Sequence, residues 1–152
     1  LIVLFDGVTD VRNFGAIARS AECAGAHGLV TPLKNSAPVN AEAIRSSAGA
    51  LTVIPVCRVG SIRNTLKQLQ TEGFQVVAAT EKSRKLLYDA DFRKPTVLVM
   101  GAEDTGISKE VLKLCDEQLA IPLIGHIESL NVSAAAAVML FEVVRQRIGP
   151  EN

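Results

Sequence analysis

Short apolar runs alternate with longer amphipathic segments along the whole chain. The apolar runs predict buried strands at Leu1–Phe5, Gly28–Thr31, Thr52–Val56, Gln75–Ala79, Thr96–Met100 and Gln118–Ile121. The segments between them repeat apolar residues at helical spacing and predict helices at Asn13–Ala24, Asn40–Ser47, Ser61–Glu72, Ser108–Leu114 and Val132–Arg147. Strands that alternate with helices are typical of a mostly parallel sheet covered by helices on both faces. The pattern therefore predicts an α/β fold.

Composition supports one domain and adds little about function. The chain has 152 residues, 48% of them hydrophobic, and a chain of this length can bury roughly 70% of its unfolded surface. We therefore expect a single domain over residues 1–152, and no apolar stretch is long enough to predict a membrane span. Its 16 basic and 16 acidic side chains cancel, so net charge gives no indication of nucleic-acid binding. The three cysteines lack any Cys-x-x-Cys pair, which predicts buried free thiols in a reducing, cytoplasmic environment.

Polar residues gather in three loops, each of which follows a strand and precedes a helix. These loops are Asp6–Asn13, Gly101–Ser108 and Pro122–Asn131. In a parallel sheet the carboxyl ends of neighbouring strands lie at one edge, where ligands usually bind. The three loops therefore predict a ligand site at that edge.

Several polar residues in and near these loops also have ordinary structural interpretations. Asn13, Ser129 and Asn131 each fit the cap of a following helix. Arg19 lies six residues after Asn13. An arginine at that place is either solvated or ion-paired, or it binds a phosphate in bidentate fashion.

The second loop excludes the common nucleotide-binding fingerprints. Gly101 and Gly106 have the spacing of a phosphate-binding loop, but Ile107 stands where the phosphate-binding lysine is required. Glu103 and Asp104 favour a cationic or hydroxyl-bearing ligand over a phosphate. The chain has no Gly-x-Gly-x-x-Gly sequence, and neither of its two histidines has metal-ligand spacing. The residues therefore predict neither a dinucleotide site nor a metal site.

Taken together in chain order, the loop residues resemble the motifs of a known family. The motifs are Asn13-x-Gly15-Ala-x-x-Arg19, Gly101-x-Glu103-x-x-Gly106, and Ile121-Pro122 followed by Ser129-Leu-Asn131-Val-Ser133. Their order and spacing resemble those of the TrmH/SpoU family of RNA 2'-O-methyltransferases, within the SPOUT superfamily. Similarity to the branch that methylates a guanosine of 23S ribosomal RNA extends to Asp6-Gly-Val-Thr-Asp10, Ser36-Ala37 with Asn40, and Leu140–Arg147.

The resemblance implies a fold, a cofactor and a set of site residues. Members of the family have a C-terminal trefoil knot, form homodimers through the first and last helices, and bind S-adenosyl-L-methionine. By resemblance, cofactor contacts are expected at Ala79, Thr80, Met100, Gly101, Ile121, Pro122, Ser129 and Leu130. The residues expected around the reacting ribose hydroxyl are Arg19, Asn13, Glu103, Ser129 and Asn131.

The resemblance also makes Arg19 the central catalytic residue, acting at the cofactor of the neighbouring subunit. An arginine side chain stays protonated at neutral pH and is a poor base. We therefore expect Arg19 to bind the substrate phosphate and to polarise the hydroxyl. Glu103 and Asn131 are expected to orient the surroundings of the nucleophile.

The implied partner is RNA, whose phosphates require cationic side chains on the protein. This chain has no net charge, so such cations must be local. A local basic cluster is formed by Lys82, Arg84, Lys85, Arg93 and Lys94. It lies in the polar stretch Thr80–Lys94, which we predict to be a surface excursion. A solvated loop is the alternative interpretation of these cations.

The start of the chain and the identity of the RNA substrate lead to further expectations. The sequence begins inside a strand at Leu1, without an initiator methionine. We therefore expect that a separate N-terminal RNA-binding domain is missing from this sequence. Two other functions stay open, namely a tRNA guanosine 2'-O-methyltransferase and a catalytically silent RNA-binding module on the same fold.

Overall fold

In the computed structural model, which describes residues 1–149, the chain forms one sheet with helices on both faces. The strands are β1 (Ile2–Asp6), β2 (Gly28–Pro32), β3 (Val56–Val59), β4 (Gln75–Ala79), β5 (Thr96–Gly101) and β6 (Glu117–Leu119). The α-helices are α1 (Val11–Cys23), α2 (Ala41–Ser46), α3 (Ile62–Thr71), α4 (Lys109–Leu114) and α5 (Val132–Arg147). Short 3-10 helices lie at Ala50–Thr52 and Leu87–Asp89. Within residues 1–149, no helix is long and apolar enough to span a membrane.

The six strands are arranged in the order β3-β2-β1-β5-β4-β6, and every pairing between them is parallel. The central strand β1 pairs along its whole length with β5, and the last pair joins Asp6 with Gly101. All strands therefore direct their carboxyl ends to one edge of the sheet. This arrangement confirms the predicted α/β fold and brings the loops that follow β1, β5, β4 and β6 together.

The sheet divides the core into two layers, since successive strand residues point to opposite faces. Phe5 of β1 belongs to the larger layer, together with residues of α1 and α5. Leu4 lies in the smaller layer, with Leu66 of α3 and Val111 of α4. In the larger layer the rings of Phe5 and Phe14 pack edge to face, with centroids 4.9 Å apart. This contact fixes the start of α1 beside the end of β1.

The strand predicted at Thr52–Val56 is wrong. Ala50–Thr52 forms a 3-10 helix, and β3 begins only at the last residue of the predicted segment. Leu51 and Ile54 are buried while Val53 is 69% exposed. The segment is a short apolar run rich in β-branched residues, which is typical of a strand, so its composition alone does not distinguish it from this turn.

The other element boundaries agree with the predictions to within two residues. Helix α1 begins at Val11 rather than at Asn13. Strand β6 covers Glu117–Leu119 instead of the predicted Gln118–Ile121. Helix α5 has the predicted bounds, because its cap and its apolar face are both local signals.

Two expectations about exposure are wrong. Thr80–Lys94 is not only a surface excursion, because Leu87 within it is fully buried. The thiols of Cys23 and Cys57 are exposed rather than buried. Cys115 is partly buried, and burial raises the pKa of its thiol to about 12.

Candidate active site

A cleft with a cavity volume of about 230 Å³ opens at the carboxyl edge of the sheet, where β4, β5 and β6 end. Its floor is formed by buried apolar residues, among them Met100, Ile107, Leu119 and Val132. Its rim carries exposed charged side chains, namely Glu81, Lys82, Glu103 and Asp104. An apolar floor with a charged rim suits a ligand that has a flat apolar part and a polar end.

The residues expected to contact a cofactor line this cleft with one exception. Those that line it are Ala79, Thr80, Met100, Gly101, Ile121, Ser129 and Leu130. Pro122 is half-buried beside the cleft without lining it.

The loop after β5 is held tightly against its neighbours. Asp6, at the end of β1, accepts a hydrogen bond through Oδ2 from the backbone N–H of Ser108 at 2.8 Å. A side-chain carbon added at Gly101 would lie 2.4 Å from the backbone nitrogen of Ile107. Only glycine fits such a close approach of two chain segments. The turn therefore keeps the acidic side chain of Glu103 at the rim of the cleft.

Asn131 joins the three predicted loops through its side chain. As the N-cap of α5, its Oδ1 accepts hydrogen bonds from the backbone N–H groups of Ser133 at 2.9 Å and Ala134 at 3.4 Å. Its Nδ2 donates to Oδ1 of Asn13 at 3.2 Å and also to Oε1 of Glu103. The structure therefore brings three of the five expected catalytic residues into one hydrogen-bonded cluster, here called the Asn131 cluster (Asn13, Glu103 and Asn131).

The carboxylate of Glu103 lies at the start of α5. Its Oε1 accepts a second hydrogen bond, from the backbone N–H of Val132 at 3.3 Å. The N-terminus of a helix favours a negative charge, which supports this placement. Within residues 1–149, Oε2 of Glu103 makes no hydrogen bond, so it can accept one from a ligand.

The cap interpretation of Asn13 is wrong. Asp10 caps α1, and its Oδ1 accepts hydrogen bonds from the backbone N–H groups of Arg12 at 2.8 Å and Asn13 at 3.0 Å. Aspartate is as good a cap as asparagine, so the sequence contained this signal three residues before Asn13. Because Asp10 supplies the cap, the amide of Asn13 is available to Asn131.

Comparison with known proteins identifies the family of this chain. A model of the SpoU rRNA Methylase family matches residues 1–141. The chain belongs to this family. A curated relative from Ralstonia nicotianae, named 23S rRNA (guanosine-2'-O-)-methyltransferase RlmB, is 42% identical over 147 residues, which are 97% of this chain and 59% of the relative. The chain therefore spans about three fifths of the length of that relative.

Solved SpoU structures show the same fold. The SpoU methyltransferase AviRb from Streptomyces viridochromogenes, solved in complex with AdoMet, superposes with a TM-score of 0.91 at 38% identity. The match covers 97% of this chain and 60% of that one. The TrmH/SpoU tRNA modifying enzyme of A. aeolicus has a TM-score of 0.87 at 32% identity, over 96% of this chain and 74% of that one.

The other two expected catalytic residues, Arg19 and Ser129, make no hydrogen bond to the Asn131 cluster within residues 1–149. Arg19 is exposed on α1 and forms no ion pair within residues 1–149. At about 1.5 Å per residue it lies roughly 9 Å along the helix from Asn13, and it does not line the cleft. Ser129 is exposed on the wall of the cleft.

The basic cluster of this SpoU chain is divided by ion pairs. Two members are held by carboxylates, Lys85 by Glu117 at 2.6 Å and Arg93 by Asp91 at 3.0 Å. Lys82 and Arg84 form no ion pair within residues 1–149. Cations that lie close together in the sequence therefore differ in whether their charge is available to bind a ligand.

Proposed function

We propose that this chain is the catalytic domain of an S-adenosyl-L-methionine-dependent RNA methyltransferase that acts in the cytoplasm. It transfers a methyl group to the ribose 2'-hydroxyl of a guanosine in 23S ribosomal RNA. The observation that carries the proposal is the Asn131 cluster at the rim of an apolar cleft. The name of the Ralstonia nicotianae relative supports the substrate, and the AviRb complex with AdoMet supports the cofactor.

The cleft fits this cofactor chemically. The buried floor around Met100 and Leu119 suits an adenine base, and the carboxylates of Glu103 and Asp104 suit a positively charged sulfonium. The bound cofactor supplies an activated methyl group, so the protein has only to place and polarise the nucleophile. The close approach of the chain at Gly101 lets main-chain groups, rather than charged side chains, contact the adenosine.

The Asn131 cluster prepares the acceptor side of the reaction. Oε1 of Glu103 is occupied by Asn131 and by α5, so Oε2 is directed to the substrate hydroxyl and accepts its hydrogen bond. The Oδ1 of Asn13 is occupied as well, which leaves its amide N–H groups to donate to the RNA backbone. Because these groups are already hydrogen-bonded to each other, little reorganisation is needed when RNA binds.

The position of Arg19 points to a homodimer, which is part of the proposal. Helix α5 packs against α1 and exposes Val138 and Phe141. With the C-cap residue Ile148 they form an apolar stripe whose members are between 37% and 76% exposed. Such a stripe favours burial against another surface, and a symmetric dimer buries it on both copies at once. Arg19 would then hold the substrate phosphate at the cleft of the partner subunit.

The trefoil knot is also part of the proposal. The segment between β4 and β5 is hydrogen-bonded to residues that lie before and after the third loop (Pro122–Asn131). The backbone N–H of Leu87 donates to the carbonyl of Ala120 at 3.0 Å, before that loop. After it, Nε2 of Gln146 in α5 donates to the carbonyl of Ala90 at 2.9 Å. A segment through which the C-terminal part of the chain is threaded would make contacts of this kind.

Methyl transfer to defined RNAs tests the proposal. The protein that carries this chain is incubated with tritiated S-adenosyl-L-methionine and either 23S ribosomal RNA or tRNA, and the RNA is digested to nucleosides. We expect label in 2'-O-methylguanosine from 23S ribosomal RNA. Label confined to tRNA would support a tRNA guanosine methyltransferase, for which the similarity to the A. aeolicus tRNA modifying enzyme speaks. RNA binding without any label would identify a catalytically silent RNA-binding module.

A further inference from the structure

The loop that follows β4 forms a fixed wall of the cleft. This rim loop (residues 80–86) runs beside β6. The backbone N–H of Thr80 donates to the carbonyl of Leu119 at 2.9 Å, and the hydroxyl of Ser83 donates to the carbonyl of Gln118 at 2.6 Å. The rim loop is therefore anchored at its start and in its middle, and the side chains between these points have defined places at the cleft.

An adjacent acid and base of the rim loop face the cleft. Glu81 and Lys82 both line it, whereas Arg84 does not. Within residues 1–149, Lys82 is the one lysine or arginine that lines the cleft, and it forms no ion pair. Lys85 of the same loop is held by a carboxylate. Lys82 is therefore available to an anionic group of a bound molecule.

The two charged parts of the rim lie next to each other at the carboxyl edge of the sheet. Glu103 follows β5 and Lys82 follows β4, and these strands are neighbours in the sheet, about 4.8 Å apart. A cofactor with its adenine on the apolar floor and its sulfonium near Glu103 would extend its amino-acid chain along the cleft wall that the rim loop forms. Glu81 and Lys82 would then be within reach of its carboxylate and ammonium groups.

We infer that Glu81 and Lys82 bind the amino-acid end of the cofactor, Lys82 its carboxylate and Glu81 its ammonium group. This inference rests on the proposed function. A zwitterion requires one anionic and one cationic partner close together, and consecutive residues of an anchored loop supply both. Holding this end fixes the rotation of the sulfonium, and so directs the methyl group towards the Asn131 cluster.

Calorimetry with two ligands tests the inference. Binding of S-adenosyl-L-methionine and of its decarboxylated analogue is measured for the wild-type protein, for Lys82→Met and for Arg84→Met. The Arg84 variant is a matched control, because it removes the same charge from the same loop at a place that does not line the cleft. We expect Lys82→Met to weaken binding of the complete cofactor about fivefold and to leave binding of the decarboxylated analogue unchanged. Lys82→Arg should restore most of the loss.

The results that overturn the inference are specific. Unchanged affinity of Lys82→Met for the complete cofactor overturns it, and so does an equal loss for both ligands, which would mean a general disturbance of the cleft. An equal effect of Arg84→Met would show that only the overall charge of the loop matters. Failure of the wild-type protein to bind S-adenosyl-L-methionine would contradict the proposed function itself. This result is distinguishable from failure of the inference, because it is seen with the wild-type protein before any variant is compared.

Discussion

The side chain of Asn131 has two roles that substitution can separate. Its Oδ1 caps α5, and its Nδ2 donates to Asn13 and Glu103. Serine keeps a capping oxygen but has no amide donor, whereas alanine lacks both. The variants Asn131→Ser and Asn131→Ala therefore distinguish the stability of the helix from the integrity of the Asn131 cluster.

The expected sizes follow from these contacts. Loss of an N-cap costs about 1 kcal/mol, which lowers the melting temperature of a domain of this size by roughly 2–4 °C. Serine should cost only a few tenths of a kcal/mol. A hydrogen bond to a charged group contributes about 1.5–3 kcal/mol, and both variants lose this contribution to the alignment of the Glu103 carboxylate. If that alignment is needed in the transition state, kcat falls about 10- to 100-fold in both variants.

Thermal unfolding and single-turnover methyl transfer provide the measurements, with cofactor affinity by calorimetry as a check that the cleft is intact. We expect both variants to be slow, and the alanine variant to melt at a lower temperature than the serine variant, which keeps a capping oxygen. A serine variant that transfers methyl at the wild-type rate would refute the catalytic role of the amide. Equal melting temperatures for all three proteins would refute the capping argument.

Three further outcomes are expected elsewhere in the chain. Gly101→Ala places a carbon 2.4 Å from the backbone nitrogen of Ile107. Calorimetry should therefore show that cofactor binding is lost, and thermal melts should show that the free energy of unfolding falls by about 1–3 kcal/mol. An unchanged cofactor affinity would contradict the tight turn. A hydrogen bond from Arg145 holds the pKa of Glu142 below its usual value of 4.5, so this pair stabilises the fold above that pH and the effect is lost as pH falls below it. Acid unfolding of Glu142→Gln should lack that component, and an unaltered pH profile would count against it. Burial raises the pKa of Cys115 to about 12, so iodoacetamide at about pH 8 should alkylate the two exposed cysteines first, as mass spectrometry can show.

The elements that could be predicted from the sequence are those with local signals. The sequence predicts helix α5 with its bounds and its cap, because Asn131 and the apolar residues after it are adjacent in the chain. The segment Thr52–Val56 failed for the opposite reason. Its β-branched residues favour a strand, but it begins in a 3-10 helix that packs against α1 and α2, and the sequence pattern does not report that packing.

The candidate site is likewise predictable from the sequence only in part. Its residues could be named from motif resemblance, but their bonding depends on which strands are neighbours. The pairing of Asp6 with Gly101 brings the first and second loops together, and the sequence does not reveal strand order. Likewise, Lys82 and Lys85 look alike in the sequence, and only the position of Glu117 on β6 separates them. The knot and the N-terminal RNA-binding domain stay predictions.

The proposed homodimer, with Arg19 acting at the cleft of the partner subunit, has a decisive test in mixed dimers. Arg19→Ala and Glu103→Gln are each expected to abolish methyl transfer alone. In a mixed dimer, the cleft of the Arg19→Ala subunit keeps its own Glu103 and receives Arg19 from the partner, so one site is complete. Random exchange of equal amounts makes about half of the dimers mixed, and should restore about one quarter of the wild-type activity. If Arg19 instead served its own cleft, each site would lack one residue and no activity would return. Its exposure on α1, away from the cleft of its own chain, favours restoration.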